Sequence, residues 1–142
     1  MSFAVARQAI RDRIEAGWTA TDIPLTWANE NQVLPEEAFV SIDVIAEGPA
    51  EIAAVGGGRG ANLMRQHGRV EMHCFVPINE GTSRAWRMAD AAAAILRTQR
   101  FETGGVAISC FESGPDGGGS RADDGKFWRV TDVTIFHADY VG

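Results

Sequence analysis

Cysteine is scarce in this chain, with two in 142 residues, which excludes the disulfide-dense scaffolds that staple small secreted folds. A chain of this length buries about two thirds of the surface its unfolded form exposes and needs no such staple. Lysine is scarcer still: Lys126 stands alone beside twelve arginines, and no two basic residues are adjacent. With a net charge of −6, the chain lacks the basic stripe by which duplex-binding proteins release counterions from phosphate. A locally basic lumen in a ring is still compatible with that total. Long apolar runs are missing as well. "AAAAIL" at Ala91–Leu96 falls far short of the roughly 20 residues that span a bilayer. Charges every few residues in "MSFAVARQAIRDRIEAG" leave no apolar core for a signal peptide, so expression in the cytoplasm is expected.

What is present is ordinary for one globular domain: 45% hydrophobic and 23% charged residues. Phe3, Ala6, Ile10 and Ile14 recur at helical steps and predict an amphipathic helix over Ser2–Ala16, with Ser2 as N-cap and Gly17 as stop. Trp18 to Pro35 has no period and is punctuated by Pro24 and Pro35. "AFVSIDVIAEG" alternates as a strand with one buried face, "EIAAVGG" continues as a short second strand, and Ala61 to His67 reads as a loop or poorly defined strand. "RVEMHCFV" sets Val70, Met72, Cys74 and Val76 against Arg69, Glu71 and His73, the clearest strand of the chain. "TSRAWRMADAAAAILRTQR" predicts a second helix capped at Thr82 or Ser83, whose small face of Ala85, Ala89, Ala92, Ala93 and Leu96 lets it lie close to a sheet. "VAISCF" and "KFWRVTDVTIF" follow as strands. The last is apolar on both faces near its end, so both faces are expected to be covered, one of them by another subunit. No repeat of 33 to 45 residues appears. The order predicts an α+β fold: one domain over 1–142, with a mostly antiparallel sheet of four to five strands packed by two helices.

Constellations with chemistry are absent. "GGGRGAN" at Gly56–Asn62 lacks the terminal Gly-Lys-Ser/Thr of a phosphate loop and opens no helix. His67, His73, Cys74, Cys110 and His137 stand in no metal-ligand spacing. No G-x-S-x-G elbow supports a Ser-His-Asp set, and the carboxylate pairs Glu36/Glu37 and Asp123/Asp124 lie in loops where solvation keeps both ionised. No catalytic residue, cofactor or metal is expected. Cys74 and Cys110 read as buried thiols in a reduced compartment, with a disulfide between adjacent strands as the alternative. Trp18 and Trp27 serve either local packing or a protein interface.

The glycines gather in two places, near 56–67 and in "GPDGGGSRADDG" at Gly114–Gly125. The second stretch has almost no apolar surface to offset about 1–2 kcal/mol of backbone entropy per ordered residue. It is expected to be mobile in the free chain or ordered only by something outside it.

The entry "TWANENQVLPEEAFVSIDVI" and the run "GRVEMHCFVPINEGTSRAWRMADAAAAIL", behind a short N-terminal helix, resemble tailed-phage tail terminators, also called tail completion proteins. The resemblance covers about Ser2 to Leu96, and the C-terminal strands agree in type. It implies a ring of subunits, commonly six, at the head-proximal end of a tail tube, ending tube polymerisation and offering a surface to the head–tail connector. The implied partners are other copies of the chain, the tube protein and the connector. DNA passes the lumen without sequence-specific binding, and no membrane, cofactor or catalysis is involved. The implied place is the virion tail, assembled in the cytoplasm of a bacterial host. In such a ring the two glycine loops become contact loops, with Arg59, Arg121, Asp123 and Asp124 at their tips and Trp18 and Trp27 as further interface residues. Two alternatives are a head–tail joining or tube subunit of the same assembly, and a small enzyme or ligand-binding domain with glycine-rich lids.

Overall fold

A computed structural model describes residues 2–28, 30, 35–122 and 124–142. Two helices, α1 (Ser2–Gly17) and α2 (Ser83–Leu96), pack with eight strands. In chain order the strands are β1 (Leu25–Trp27), β2 (Phe39–Ala46), β3 (Glu51–Ala54), β4 (Leu63–Pro77), β5 (Arg100–Thr103), β6 (Val106–Pro115), β7 (Ser120–Arg121) and β8 (Phe127–Val141). The fold is α+β, as the sequence pattern predicts. The strand count is corrected from four or five to eight. The additions β1, β5 and β7 are only 3, 4 and 2 residues long, too short to display a period.

The sheet runs β1-β2-β4-β8-β6-β5, with β3 attached to β4 and β7 to β8. The pairing of β1 with β2 is parallel and makes the sheet mixed; the other pairings are antiparallel. The spine is a ribbon of β4 and β8, each of 15 residues, in register from Leu63↔Val141 to Pro77↔Phe127. At roughly 3.3 Å per residue it extends about 45–50 Å. Leu63–His67 therefore belong to β4 and not to a loop. All five pair with β8, and Leu63–Arg65 also with β3, so their own sequence carries little sign of it.

Alternation decides what each face of the ribbon meets. Val70, Met72, Cys74 and Val76 on β4, with Val130, Phe136 and Ala138 on β8, face the helices and are all at most 1% exposed. Ala6, Ile10 and Ile14 of α1 are fully buried in the same core, as are Ala85, Ala89, Ala92, Ala93 and Leu96 of α2. The small-residue face of α2 thus meets the sheet as its sequence requires. Both helices lie over this one face, and the opposite face carries no helix among the described residues.

The second helix stops earlier than its alanine-rich pattern suggests. Thr82 occupies the N-cap without a side-chain cap hydrogen bond, and Arg97 is the C-cap. Thr98 takes a left-handed φ of 58°, its N–H donates to the Phe111 carbonyl, and the Cys110 N–H donates to Gln99. Hydrogen bonding to β6 thus captures the chain that helix propensity alone would have continued to Arg100.

Gly68 sits buried in mid-ribbon. A Cβ there would lie 2.6 Å from the Phe136 ring and 2.7 Å from the Ile45 carbonyl oxygen. Its lack of a side chain lets the fully buried Phe136 lie across β4 and stack on Phe3 with centroids 6.4 Å apart.

Candidate assembly surface

The two glycine-rich segments lie at opposite ends of the β4–β8 ribbon. The first joins β3 to β4 beside the end of β8, where Asn62 and Gly142 exchange backbone hydrogen bonds of 3.2 and 2.9 Å. Asn62, nearly buried, also accepts the Gly56 N–H on Oδ1 at 3.0 Å, which closes the turn. Gly57, Gly58 and Gly60 adopt φ of 113°, 104° and 88°, values open to glycine but strained for other residues. Arg59 stands exposed at the tip and forms no ion pair among the described residues.

The second segment is shared between β6, a bulge, β7 and the turn into β8. Its backbone is tied to its own chain: the Asp116 N–H donates to the Thr131 carbonyl and the Ala122 N–H to Phe127, both at 2.8 Å. Expectation treated all of Gly114–Gly125 as unpackable. In the structure Gly114, Pro115, Ser120 and Arg121 lie in strands, because β8 supplies backbone partners that composition cannot reveal. Arg121 on β7 is exposed. The Asp124 carboxylate accepts the Lys126 N–H at 3.0 Å, and Asp123 lies outside the described residues. The structure thus sets Arg121 and Asp124 at one end of the ribbon and Arg59 at the other.

Trp27 is 6% exposed, with the Arg11 guanidinium 4.7 Å over its ring. Half-buried Trp18 donates its indole N–H to the Ile23 carbonyl at 2.9 Å. Of their two sequence readings, local packing describes the contacts both residues make within this chain. Their spacing gave no sign of it because the fold, not a period, returns the connection against α1.

Sequence reasoning missed the apolar fringe. Ile52 is 56% exposed, Val55 82% and Val141 69%, and Leu63 pairs with Val141 beside them. All four residues of β3 are exposed, so its outer edge is bare. The sequence of β3 predicted a short strand but could not say that it would lie beyond the cover of the helices.

The helix-free face is charged and carries all three histidines of the chain. Arg65 grips Asp139 in a bidentate pair at 2.8 and 2.9 Å, and Arg69 bridges Glu47 and Glu71. His67 meets Glu51 at 2.9 Å, His73 meets Asp43 at 3.5 Å and His137 meets Asp139 at 3.3 Å. The Arg65 hydrogen bond holds the Asp139 carboxyl below its ordinary range. Burial lowers His137, against the opposing pull of Asp139. Val133 and Ile135 on β8, with Phe111 on β6, supply apolar surface on this face; Ile135 and Phe111 are 37% and 38% exposed.

Titratable groups on the core side are shielded. Burial pushes the Cys74 thiol up to about 12 and Cys110 to about 11, so both are inert as nucleophiles near neutral pH. They are free and stand on β4 and β6, which β8 separates, so no disulfide joins adjacent strands. Asp132 on β8 is fully buried, and burial raises it to about 6. Its Oδ1 has no hydrogen-bond partner, while Oδ2 accepts from the Ser113 hydroxyl at 3.4 Å. Among the described residues no three His, Cys, Asp or Glu side chains converge as metal ligands, and no helix is long and apolar enough to cross a membrane. A depression of about 610 Å³ between the helices is lined by Gly17, Ala91, Ala94 and Ile95, with Arg13 and Gln99. It pairs no acid with a base.

No protein-family model and no curated protein matches the chain. Seven solved protein chains do. One of them, which carries no functional name, has a TM-score of 0.72 and 18% sequence identity, over 100% of this chain and 99% of that one. At that identity the likeness is one of fold, and fold alone does not carry function.

Proposed function

We propose that the chain is a structural subunit of a phage tail, a terminator that assembles into a ring, ends tube polymerisation and receives the head–tail connector. The observation that carries this reading is the disposition of the surface: two loop tips at opposite ends of one long ribbon, joined by a sheet face that its own helices leave bare. A subunit so built can meet a tube ring at one end and a connector at the other, while its bare face and the edge of β3 meet neighbouring copies. Repeated contacts between unlike patches close a ring when the rotation between copies permits. The ring commonly has six copies in the family that the sequence resembles, with DNA passing through its lumen.

The mostly antiparallel sheet and the two loops serve this role as frame and contacts, with Arg59, Arg121 and Asp124 as their charged tips. Catalysis has no part in it. The bare β3 edge also suits a tube subunit that keeps polymerising, which makes that the second reading.

Electron microscopy and native mass spectrometry on the purified chain, alone and mixed with the cognate tube protein, separate the two readings. Closed rings of one size that cap tubes are expected. Open-ended tubes made of this chain alone would favour the second reading, and a chain that stays monomeric in both samples would defeat both.

A further inference from the structure

The strand that accompanies β8 shifts register at Cys110–Ser113 and is interrupted between β6 and β7. Pro115 pairs with Asp132, whereas Ser120 pairs with Arg129, so the chain takes more steps than its partner and the surplus bulges out as Asp116–Gly119. Asp116, Gly117 and Gly118 are exposed. Gly119 turns inward at φ +85°, and a Cβ there would lie 2.7 Å from Trp128 Nε1 and 3.2 Å from the Arg129 carbonyl oxygen. The indole N–H beneath it is buried and donates to no acceptor among the described residues.

We propose that residues 116–122 form a strap with two positions, closed over Trp128 and lifted from it. Among the described residues the closed position is held by backbone links: the Asp116 and Ala122 N–H bonds to β8 and the pairing of β7. It buries no large side chain of its own, and it seals the Trp128 donor away from water, where an unmet donor is unfavourable. Lifting hydrates that donor and leaves the core in place, because Val130 is held by β4 across the ribbon. A Cβ at Gly117 or Gly118 would meet nothing within 4 Å, and these glycines leave the strap free to turn at its base. For the ring read above, and resting on that reading, the lifted strap is the form that reaches a neighbour.

Limited trypsin digestion of the free chain at Arg121, followed by mass spectrometry, tests the two positions, since cleavage tracks the open population when closing is fast. Gly119→Ala drives a methyl against the indole edge and is expected to speed cutting about tenfold. Gly118→Ala adds a methyl that meets nothing and leaves the rate within about twofold. Trp128→Phe removes the unmet donor and slows cutting about threefold. Equal rates for the two glycine variants would overturn the strap, as would Trp128→Phe failing to slow cutting while hydrogen exchange across β4 is unchanged. Should that exchange rise, the glycine pair decides alone. No ring is needed for the assay, so the strap and the ring can fail separately.

Discussion

The two glycine-rich ends of the ribbon look alike in composition and differ in what lies beneath them. At the β3–β4 turn the Asn62 side chain and the last residue of the chain meet the backbone groups that the turn exposes. At the strap, a buried donor goes unmet, Trp128 Nε1. One glycine segment closes a structure and the other covers an imperfection. The glycine count tells how far a backbone can bend, and the atoms under the bend tell whether it stays bent.

Gly68 should break the comparison most severely, because it belongs to neither end. A Cβ there meets the Ile45 carbonyl and the Phe136 ring, and backbone cannot step aside. Gly68→Ala is expected to lower unfolding free energy by about 2–4 kcal/mol, read in urea titration, more than alanine at Gly118, where a Cβ meets nothing.

Asp132 comes next, with the opposite sign. The folded carboxyl titrates at about 6 and an unfolded one at about 4, so the native state binds more protons between those values. The contribution to stability is full below about pH 4 and is lost as pH rises through about 6. Asp132→Asn is therefore expected to stabilise the chain at pH 7.5 by about 1–2 kcal/mol. The stability difference between variant and wild type should shrink as the buffer is taken down toward pH 4.

Asn62→Ala should open the sealed end, leaving the Gly56 N–H unmet and losing about 1 kcal/mol. Hydrogen exchange should rise in residues 56–63 and stay level at β7. The smallest effect is expected when Gly117–Asp124 is replaced by a two-residue turn. That change should leave folding stability within about 0.5 kcal/mol while abolishing tube capping in the proposed assembly. A shortened variant that still caps tubes at wild-type length would remove the strap from the contact.

Much of the frame was legible in sequence because it repeats. Ile10 and Ile14 return at helical steps, Val70 to Val76 alternate, and the alanines of α2 announce a close approach to a sheet. What escaped notice had no period to display. Leu63–His67 became strand through pairing with β8 and, at Leu63–Arg65, with β3, and Arg97–Arg100 left the helix because β6 offers hydrogen bonds there. For the candidate surface, Arg59, Arg121 and Asp124 were recognisable from loop composition. The exposure of Ile52, Val55 and Val141 was not, since it depends on where helices lie in space, and for Trp27 local packing was one of two readings.

The long pairing of β4 with β8 also sets an order of events. Every backbone partner on that side of β4 is made after α2, β5, β6 and β7 have left the ribosome, and α1 packs on β6 and β8 as well. The first half of a nascent chain therefore carries a strand with one flank open and a helix without its seat. Contacts this distant in sequence put folding on the slow side for a small domain. Until β8 arrives, Val70, Met72 and Val76 are exposed to whatever else is being synthesised nearby, a natural point for a chaperone to engage.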